Sequence, residues 1–173
     1  NKELFTLEEF VKAFDSSGFQ KANPVFNKKK LDWFNGCYIR QLKIDEFNAK
    51  LQILNSKWKE RDQKKMLQII PLVKDRIVKL SDFDALAGFF FERKEVDQKL
   101  LGDNHKEHFT KAIEALEKGT SLNEVPGRNG FKVGDFFMDL RIAITGSKFT
   151  PPINESIEIL GKKESIERIK TVL

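Results

Sequence analysis

The sequence predicts an all-α fold. Nearly every segment of the 173-residue chain repeats its apolar residues at the period of a helix, and none alternates apolar and polar residues as a half-buried strand does. Hydrophobic residues make up 40% and charged residues 33% of the chain, a mixture that supports a packed core and excludes a collagen-like or disordered protein. No apolar run approaches the roughly 20 residues that a membrane helix needs, so we expect no membrane contact.

The first helix is predicted at 7–15. Thr6 and Glu9 have the spacing of a capping box, in which each side chain binds the other residue's backbone amide. Phe5 and Phe10 stand at the two positions of a hydrophobic staple, which fixes the direction in which the chain enters a helix. The helix is expected to end toward Ser16-Ser17-Gly18.

A second helix is predicted at 28–42, with Asn27 as its N-cap. The pair Asn35-Gly36 inside it is typical of a hairpin turn when alternating strands flank it. Here the flanking apolar residues follow one helical face instead. We therefore predict a continuous helix and expect close packing at Gly36 to offset a cost of about 1 kcal/mol for glycine in a helix.

Further helices follow the same apolar period. A helix at 61–80 contains Pro71, where we expect a kink or a new first turn. The segment 119–131 is the clearest loop, rich in Gly, Ser and Asn. The remaining helices are predicted at 45–58, 81–91, 95–101, 103–118, 133–145, 153–160 and 163–172.

Positive charge is concentrated in the middle of the chain. Residues 21–79 hold 15 Lys and Arg against 6 Asp and Glu, a local net charge of +9 in a chain whose total is +5. A basic segment on an otherwise acidic chain is typical of proteins that bind a polyanion, most often a nucleic acid. The alternative is a lysine-rich solvated surface without a charged partner.

Signatures of catalysis and of metal binding are nearly absent from the sequence. His105 and His108 share a helical face, but a zinc site needs further ligands and only Cys37 could be added, so we expect solvated or capping histidines. Cys37 lies on an apolar helical face and is expected to be a packed thiol. A single cysteine excludes an intrachain disulfide, and the opening NKELFTLEEF shows no secretory signal, so we expect a cytoplasmic location.

Two arginines are candidates for ligand binding. Arg76 is predicted on the flank of the helix at 61–80, with its stem packed and its guanidinium outward; the alternative is an ordinary surface arginine. Arg141 is a lone cation in the apolar run LRIAITG. Such an arginine is usually paired with a buried carboxylate, for which Asp135 and Asp139 are candidates, or kept for a ligand.

Several blocks of the sequence resemble a known family. The segment LDWFNGCYIRQL and the segment LRIAITGS are similar to the C-terminal, anticodon-binding part of bacterial glutamyl-tRNA synthetases, which are class I aminoacyl-tRNA synthetases. FTLEEFVKAFD, PLVKDRIVKLSDF and PPINESIEILGKKESIERI resemble the same family and occur in its order. The resemblance implies three parts: the end of a stem-contact region at 1–43, and two helical anticodon-binding domains at 44–98 and 99–173.

The resemblance also implies a function. The family attaches glutamate to its tRNA with ATP and magnesium, in a catalytic domain that carries two signature motifs. Neither motif occurs here, so we expect no catalytic residue, cofactor or metal in this chain and no activity of the chain alone. The implied partner is the glutamate tRNA, bound by a monomer. A basic helical scaffold for protein interactions and a general RNA-binding module are the alternatives.

The resemblance assigns residues to the tRNA. Arg76 matches the arginine that reads the third anticodon letter, and Arg141 matches one beside the first letter. The loop after Arg141 contacts the same nucleotide in the family, which implies Thr150, Pro151 and Ile153. Candidates for contacts with phosphates are the lysines of the basic segment: Lys59, Lys64, Lys65, Lys74 and Lys79.

Overall fold

The predicted all-α fold is confirmed in a computed structural model, which describes residues 3–18 and 25–173. No strand occurs within these ranges. Eleven α-helices do: α1 Leu7–Ala13, α2 Lys28–Gln41, α3 Ile44–Leu54, α4 Lys57–Glu60, α5 Gln63–Lys74, α6 Phe83–Ala87, α7 His105–Lys118, α8 Val125–Asn129, α9 Val133–Thr145, α10 Ile153–Leu160 and α11 Lys162–Thr171. None of these helices has both the length and the apolar composition needed to cross a bilayer.

The start signals of the first two helices are confirmed. The Thr6 amide donates to Oε2 of Glu9 at 2.9 Å, and the Glu9 amide donates to Oγ1 of Thr6 at 3.2 Å, so the capping box forms before α1. Asn27 caps α2 by accepting from the Lys30 amide at 3.0 Å. Asn35-Gly36 lies inside α2 as expected, and a Cβ on Gly36 would come within 3.3 Å of Cγ1 of Val78. Close packing therefore accounts for this glycine.

Several predicted boundaries are wrong because local side chains and tertiary contacts redirect the chain. The predicted helix at 45–58 breaks where the Asn55 side chain accepts from the Lys57 amide at 3.1 Å. Only a single 3-10 turn, Gln98–Leu100, replaces the helix predicted at 95–101, with Asp97 as its cap. The segment 119–131 is not a loop throughout, since it contains a 3-10 turn, Leu122–Glu124, followed by α8.

The helix predicted at 61–80 is shorter than expected. It continues through Pro71 but ends at Lys74, after which the chain turns. Ile77 still returns to the core with 1% of its surface exposed, and the Asn35 side chain donates to the carbonyl oxygen of Val78. These contacts with α2 hold the segment after α5 in a non-helical path.

The core consists of two hydrophobic clusters. The first is formed by the end of α2 and by α3–α6 and includes Phe47, Met66 and Phe83. The second is formed by α7–α11 and includes Phe109 and Phe136. Leu160 of α10 packs against both clusters. The proposed division into domains at 44–98 and 99–173 stays a prediction.

Arg168 of α11 connects the two clusters. Its side chain is 6% exposed, and its Nη1 donates to the carbonyl oxygens of Phe89 at 2.8 Å and of Ile144 at 2.9 Å. Its Nε donates to Glu164 at 2.7 Å, and Arg93 donates to the same carboxylate at 2.8 and 2.9 Å. One buried guanidinium thus holds a carbonyl from each cluster.

The carboxylate in this network stays ionised well into acid. Hydrogen bonds from Arg93 and, secondarily, from Arg168 lower the pKa of Glu164 to about 2 from its usual 4.5. A carboxyl whose pKa is lower in the folded than in the unfolded protein stabilises the fold at pH above its unfolded pKa. The contribution of Glu164 is therefore fully present above about pH 4.5 and is lost as the pH falls through 2.

Candidate nucleic-acid interface

Arg76 is presented on a turn that is anchored on both sides. It lies in the turn that follows α5, and its amide donates to the carbonyl of Val73 at 2.9 Å. Before it, Lys74 donates to the carbonyl of Leu42 at 2.8 Å; after it, Lys79 lies 3.5 Å from Asp32. The Arg76 side chain itself is exposed and has no ion pair within the described residues. Fixed neighbours and a free guanidinium are what recognition of a base edge requires.

This placement corrects the predicted position of Arg76 on a helix flank. The helical period assigned residues up to 80 to one helix, but α5 has already ended when the chain reaches Arg76. Its guanidinium thus follows a helix C-terminus, where the helix dipole favours a positive charge. The Arg76 side chain is exposed, as predicted, but it projects from a turn and not from a helix.

The lysines proposed for phosphate contacts differ in their surroundings. Lys59 and Lys64 are exposed. Lys65 is half-buried and donates to the carbonyl of Phe90 at 2.7 Å, and burial followed by the nearby charge of Arg168 lowers the pKa of its ammonium. Lys74 and Lys79 make the contacts described around Arg76. Of these five lysines, only Lys59 and Lys64 have an ammonium group with no ion pair or hydrogen bond to the described part of the chain.

Arg141 lies at a cavity of about 410 Å³ between α9 and α10. Its Nε is buried and has no hydrogen-bond partner in the described ranges, and its guanidinium pairs with neither Asp135 nor Asp139 there. The cavity wall is mostly apolar and includes Val133, Phe137, Met138, Pro152 and Ile153. An unpaired cation beside an apolar cavity fits the alternative that this arginine is kept for a ligand.

Asp139, expected as a partner of Arg141, instead binds a histidine. It is 2% exposed, and its Oδ2 accepts from Nδ1 of His108 at 2.6 Å while its Oδ1 accepts from the Gly102 amide at 2.8 Å. The expectation of a solvated or capping His108 is therefore wrong, since it is 3% exposed and packed against Phe131. The pair joins α7 to α9 two residues before Arg141.

The loop after α9 is ordered by short side chains. Oγ1 of Thr145 donates to the carbonyl of Arg141 at 2.8 Å, and the Ser147 amide donates to the same Oγ1 at 3.1 Å. Gly146 has a φ of 76°, and a Cβ there would lie 2.8 Å from the carbonyl oxygen of Glu95, so only glycine fits. The loop is thereby fixed to the segment between the clusters.

The loop residues implied by the resemblance are mostly buried. Thr150 is 8% exposed and donates to the carbonyl of Pro151, which is also buried, and Ile153 is 5% exposed. The exposed residues of this loop are Lys148 and Phe149, and Phe149 is 83% exposed. Sequence reasoning did not propose Phe149, although an aromatic residue in an otherwise polar turn is a signal of base stacking.

The cysteine and the histidines that were considered as metal ligands do not form a metal site in the described residues. Cys37 is partly buried, and its Sγ accepts from Nη2 of Arg40 at 3.3 Å. His105 Nδ1 lies 2.7 Å from the carbonyl of Gly102. No group of three or more His, Cys, Asp or Glu side chains that could hold a metal ion occurs in residues 3–18 and 25–173.

Known proteins resemble this chain in sequence and in fold. Residues 44–173 match the family described as "Anticodon binding domain". A glutamate–tRNA ligase of Treponema denticola is 31% identical over 99% of the chain and 42% of its own length, and one of Borreliella burgdorferi is 32% identical over 98% and 39%. The chain thus spans about two fifths of the length of these relatives.

A solved structure has the same fold. The crystal structure of a glutamate–tRNA synthetase from Elizabethkingia anophelis superimposes with a TM-score of 0.76 at 25% identity, covering 99% of this chain and 37% of that one. Both candidate arginines lie within the residues that the family matches.

Proposed function

Because the chain belongs to the anticodon-binding domain family, we propose that it is the part of a glutamate–tRNA ligase that recognises the anticodon of the glutamate tRNA. The observation that carries the proposal is the state of the two arginines. Arg76 is exposed on an anchored turn, and Arg141 has a buried Nε without a partner beside an apolar cavity. Each offers a rigid fork of donors that no described carboxylate occupies.

The proposed mechanism is the reading of unstacked bases. Sequence-specific proteins recognise single-stranded RNA by splaying its bases apart and binding their edges with hydrogen bonds and apolar contacts. We assign Arg76 to the third anticodon letter and Arg141 to the first. Of the loop residues Thr150, Pro151 and Ile153, which we assign to the same nucleotide as Arg141, Ile153 lines the cavity. Contacts with phosphates position the RNA without reading its sequence, and the exposed Lys59 and Lys64 suit that role best.

The ligase reaction itself is assigned to the remainder of such an enzyme. We propose that glutamate is activated there with ATP and magnesium, and that this chain contributes binding of the tRNA as a single copy in the cytoplasm. No residue described here is assigned a catalytic role. The chain alone is expected to catalyse no glutamate-dependent exchange of pyrophosphate into ATP.

Substitution of Arg76 tests base reading at the third letter. Arg76→Gln is expected to weaken binding of a tRNA with the cognate anticodon by about 1–3 kcal/mol and binding of a third-letter variant much less, because a base-specific contact is lost only where it exists. Arg76→Lys is expected to give no rescue, since an ammonium lacks the planar fork. Fluorescence titration with both tRNAs measures the two losses.

Arg128→Gln is the matched control for Arg76. Arg128 is an exposed arginine of α8 that pairs at 2.5 Å with Glu124, the residue directly before that helix. The substitution is expected to leave the preference between the tRNAs unchanged. Equal losses for both anticodons in Arg76→Gln, with an unchanged unfolding midpoint, would contradict base reading and leave Arg76 as a phosphate contact.

Salt dependence separates tRNA binding from a protein scaffold. Binding of the glutamate tRNA is expected to weaken steeply with salt, because lysines that neutralise phosphates release counterions. Lys64→Gln is expected to lower the slope of log affinity against log salt by about one and to weaken all tRNAs alike. Lys106→Gln, an exposed lysine outside the basic segment, serves as the control. Affinity that does not change from low to moderate salt would favour the scaffold.

A further inference from the structure

One side of α2 binds the chain both before and after Arg76. The contacts run antiparallel, so that later residues of α2 meet earlier residues of the chain after α5: Asp32 with Lys79, Asn35 with Val78, and Leu42, directly after the helix, with Lys74. Positions three and seven apart lie on one side of a helix. The Arg76 side chain itself forms no hydrogen bond or ion pair with α2 among the described residues.

The closest of these contacts is made two residues after Arg76. The side-chain amide of Asn35 donates to the carbonyl oxygen of Val78. The Val78 side chain lies over the buried Gly36, where a Cβ would come within 3.3 Å of its Cγ1. Backbone and side chain of Val78 are therefore both held by α2. The pair of Lys79 with Asp32 is solvent-exposed and 3.5 Å long, and such pairs contribute little.

The contact at Val78 bears directly on the position of Arg76. Only Ile77 separates the two residues, and its side chain is buried in the core, so the short segment has few ways to move. Recognition of a base edge by a planar fork of donors requires a placement within about 0.5 Å. α2 ends before residue 44, where the match with the anticodon-binding domain family begins.

We propose that Asn35 and Gly36 are positioning residues for Arg76, so that the preference for the third anticodon letter depends on a helix outside the family's matched residues. The inference rests on the proposed function, because it requires Arg76 to contact that base. None of the residues assigned to the RNA lies on α2. Asn35 and Gly36 act through the turn and touch no nucleotide in this arrangement.

Asn35→Leu tests the hydrogen bond to Val78. The quantity measured is the ratio of the affinities for the cognate tRNA and for a third-letter variant. Unfolded protein lowers both affinities alike, so the ratio does not report on stability. The ratio is expected to fall roughly 3- to 10-fold, the size of one hydrogen bond at a base edge. Asn129→Leu is the matched control, since Asn129 of α8 also donates from its amide to a carbonyl, that of Val125 at 2.8 Å.

Gly36→Ala tests the packing without removing a polar group. Alanine favours a helix more than glycine does, so α2 itself is not weakened. The new Cβ would lie 3.1 Å from Nη1 of the exposed Arg40, which can turn away, and would press on Val78. The affinity ratio is therefore expected to fall while the unfolding midpoint stays or rises. Gly127→Ala is the control, because a Cβ at Gly127 in α8 meets no atom within 4 Å.

A double variant shows whether the effect passes through Arg76. If Asn35 acts only by placing Arg76, its substitution has nothing left to change once the guanidinium is gone. Asn35→Leu is then expected to leave the affinity ratio of Arg76→Gln unaltered, although the same substitution lowers the ratio of the wild type. Residues that act independently would instead lower the ratio by the same factor in both backgrounds.

The outcomes separate this inference from the proposed function. If the wild type binds both tRNAs equally, or if Arg76→Gln leaves the ratio unchanged, the assignment of Arg76 as a reader fails. If Arg76→Gln removes the preference but Asn35→Leu and Gly36→Ala keep the wild-type ratio, only the positioning role of α2 is overturned. A fall in the ratio that persists when Asn35→Leu is combined with Arg76→Gln also overturns it.

Discussion

Replacement of Asp139 by alanine is expected to lower the free energy of unfolding by about 2–3 kcal/mol. The change removes the acceptor for the buried ring of His108 and for the amide of the exposed Gly102, whose hydrogen bond is partly buried. Each buried polar group left without a partner costs about 1–3 kcal/mol, and no water can reach a residue that is 2% exposed without opening the core. The His108 side chain, packed against Phe131 and Phe136, cannot turn outward to find another acceptor.

Urea unfolding followed by circular dichroism measures the loss at Asp139. Asp135→Ala is the matched control, because Asp135 is an exposed carboxylate one turn earlier on the same helix. It is expected to change stability by less than about 0.5 kcal/mol, as surface substitutions usually do. An equal effect of the two substitutions would show that the contact with His108 contributes no net stability.

Replacement of Arg168 by methionine is expected to destabilise the protein by about 2–4 kcal/mol and to uncouple its two clusters. Methionine keeps much of the buried volume but leaves the carbonyls of Phe89 and Ile144 without their donor. Glu164 keeps its hydrogen bonds with Arg93, so the loss falls mainly on the two carbonyls. Because each carbonyl belongs to a different cluster, the contact between clusters is weakened more than either cluster alone.

Two probes of unfolding test the uncoupling. Trp58 is buried in the first cluster, and its fluorescence reports on that cluster once the exposed Trp33 is replaced by phenylalanine in every variant. Far-ultraviolet circular dichroism reports on the helices of both clusters. The two transitions are expected to coincide in the wild type and to separate in Arg168→Met. Lys170→Met, at an exposed position of α11, is the control. Coincident transitions and an unchanged midpoint in Arg168→Met would contradict a coupling role.

The helices predicted best from sequence are those whose signals are local. The bounds of α9 and α10 match the predicted 133–145 and 153–160, because each has an apolar period and a glycine directly after its last residue. The capping box before α1 likewise depends only on residues three apart. Capping residues and the helical spacing of apolar residues are thus enough to predict the bounds of a helix where no distant residue binds its backbone.

The errors arise where distant residues decide the backbone. The sequence between 61 and 80 does not indicate the two contacts that hold the chain on either side of Arg76. These are the hydrogen bonds of Asn35 with the Val78 carbonyl and of Lys74 with the Leu42 carbonyl. In the same way, no local pattern pairs His108 with a carboxylate 31 positions later. Apolar period identified the elements, but the ends of α5 and the environment of His108 depend on tertiary contacts.

The candidate site was predictable only in part for the same reason. The odd position of Arg141 in an apolar run indicated a ligand or a buried carboxylate partner, and no described carboxylate pairs with it. Likewise, the burial of Thr150 and the exposure of Phe149 depend on how the loop folds.

The position of α11 has a consequence for the order of folding during synthesis. Domains form from the N-terminal side as the chain leaves the ribosome, and α3–α6 can gather their cluster from residues close in sequence. The second cluster has to wait for residues 162–171, because α11 packs on α7 and α9 and brings Ile169 into their core. Arg168 arrives with that helix, so the carbonyl of Phe89 stays without its donor until nearly 80 further residues have been translated. Both candidate RNA-reading arginines are therefore synthesised before the helix that connects the two clusters.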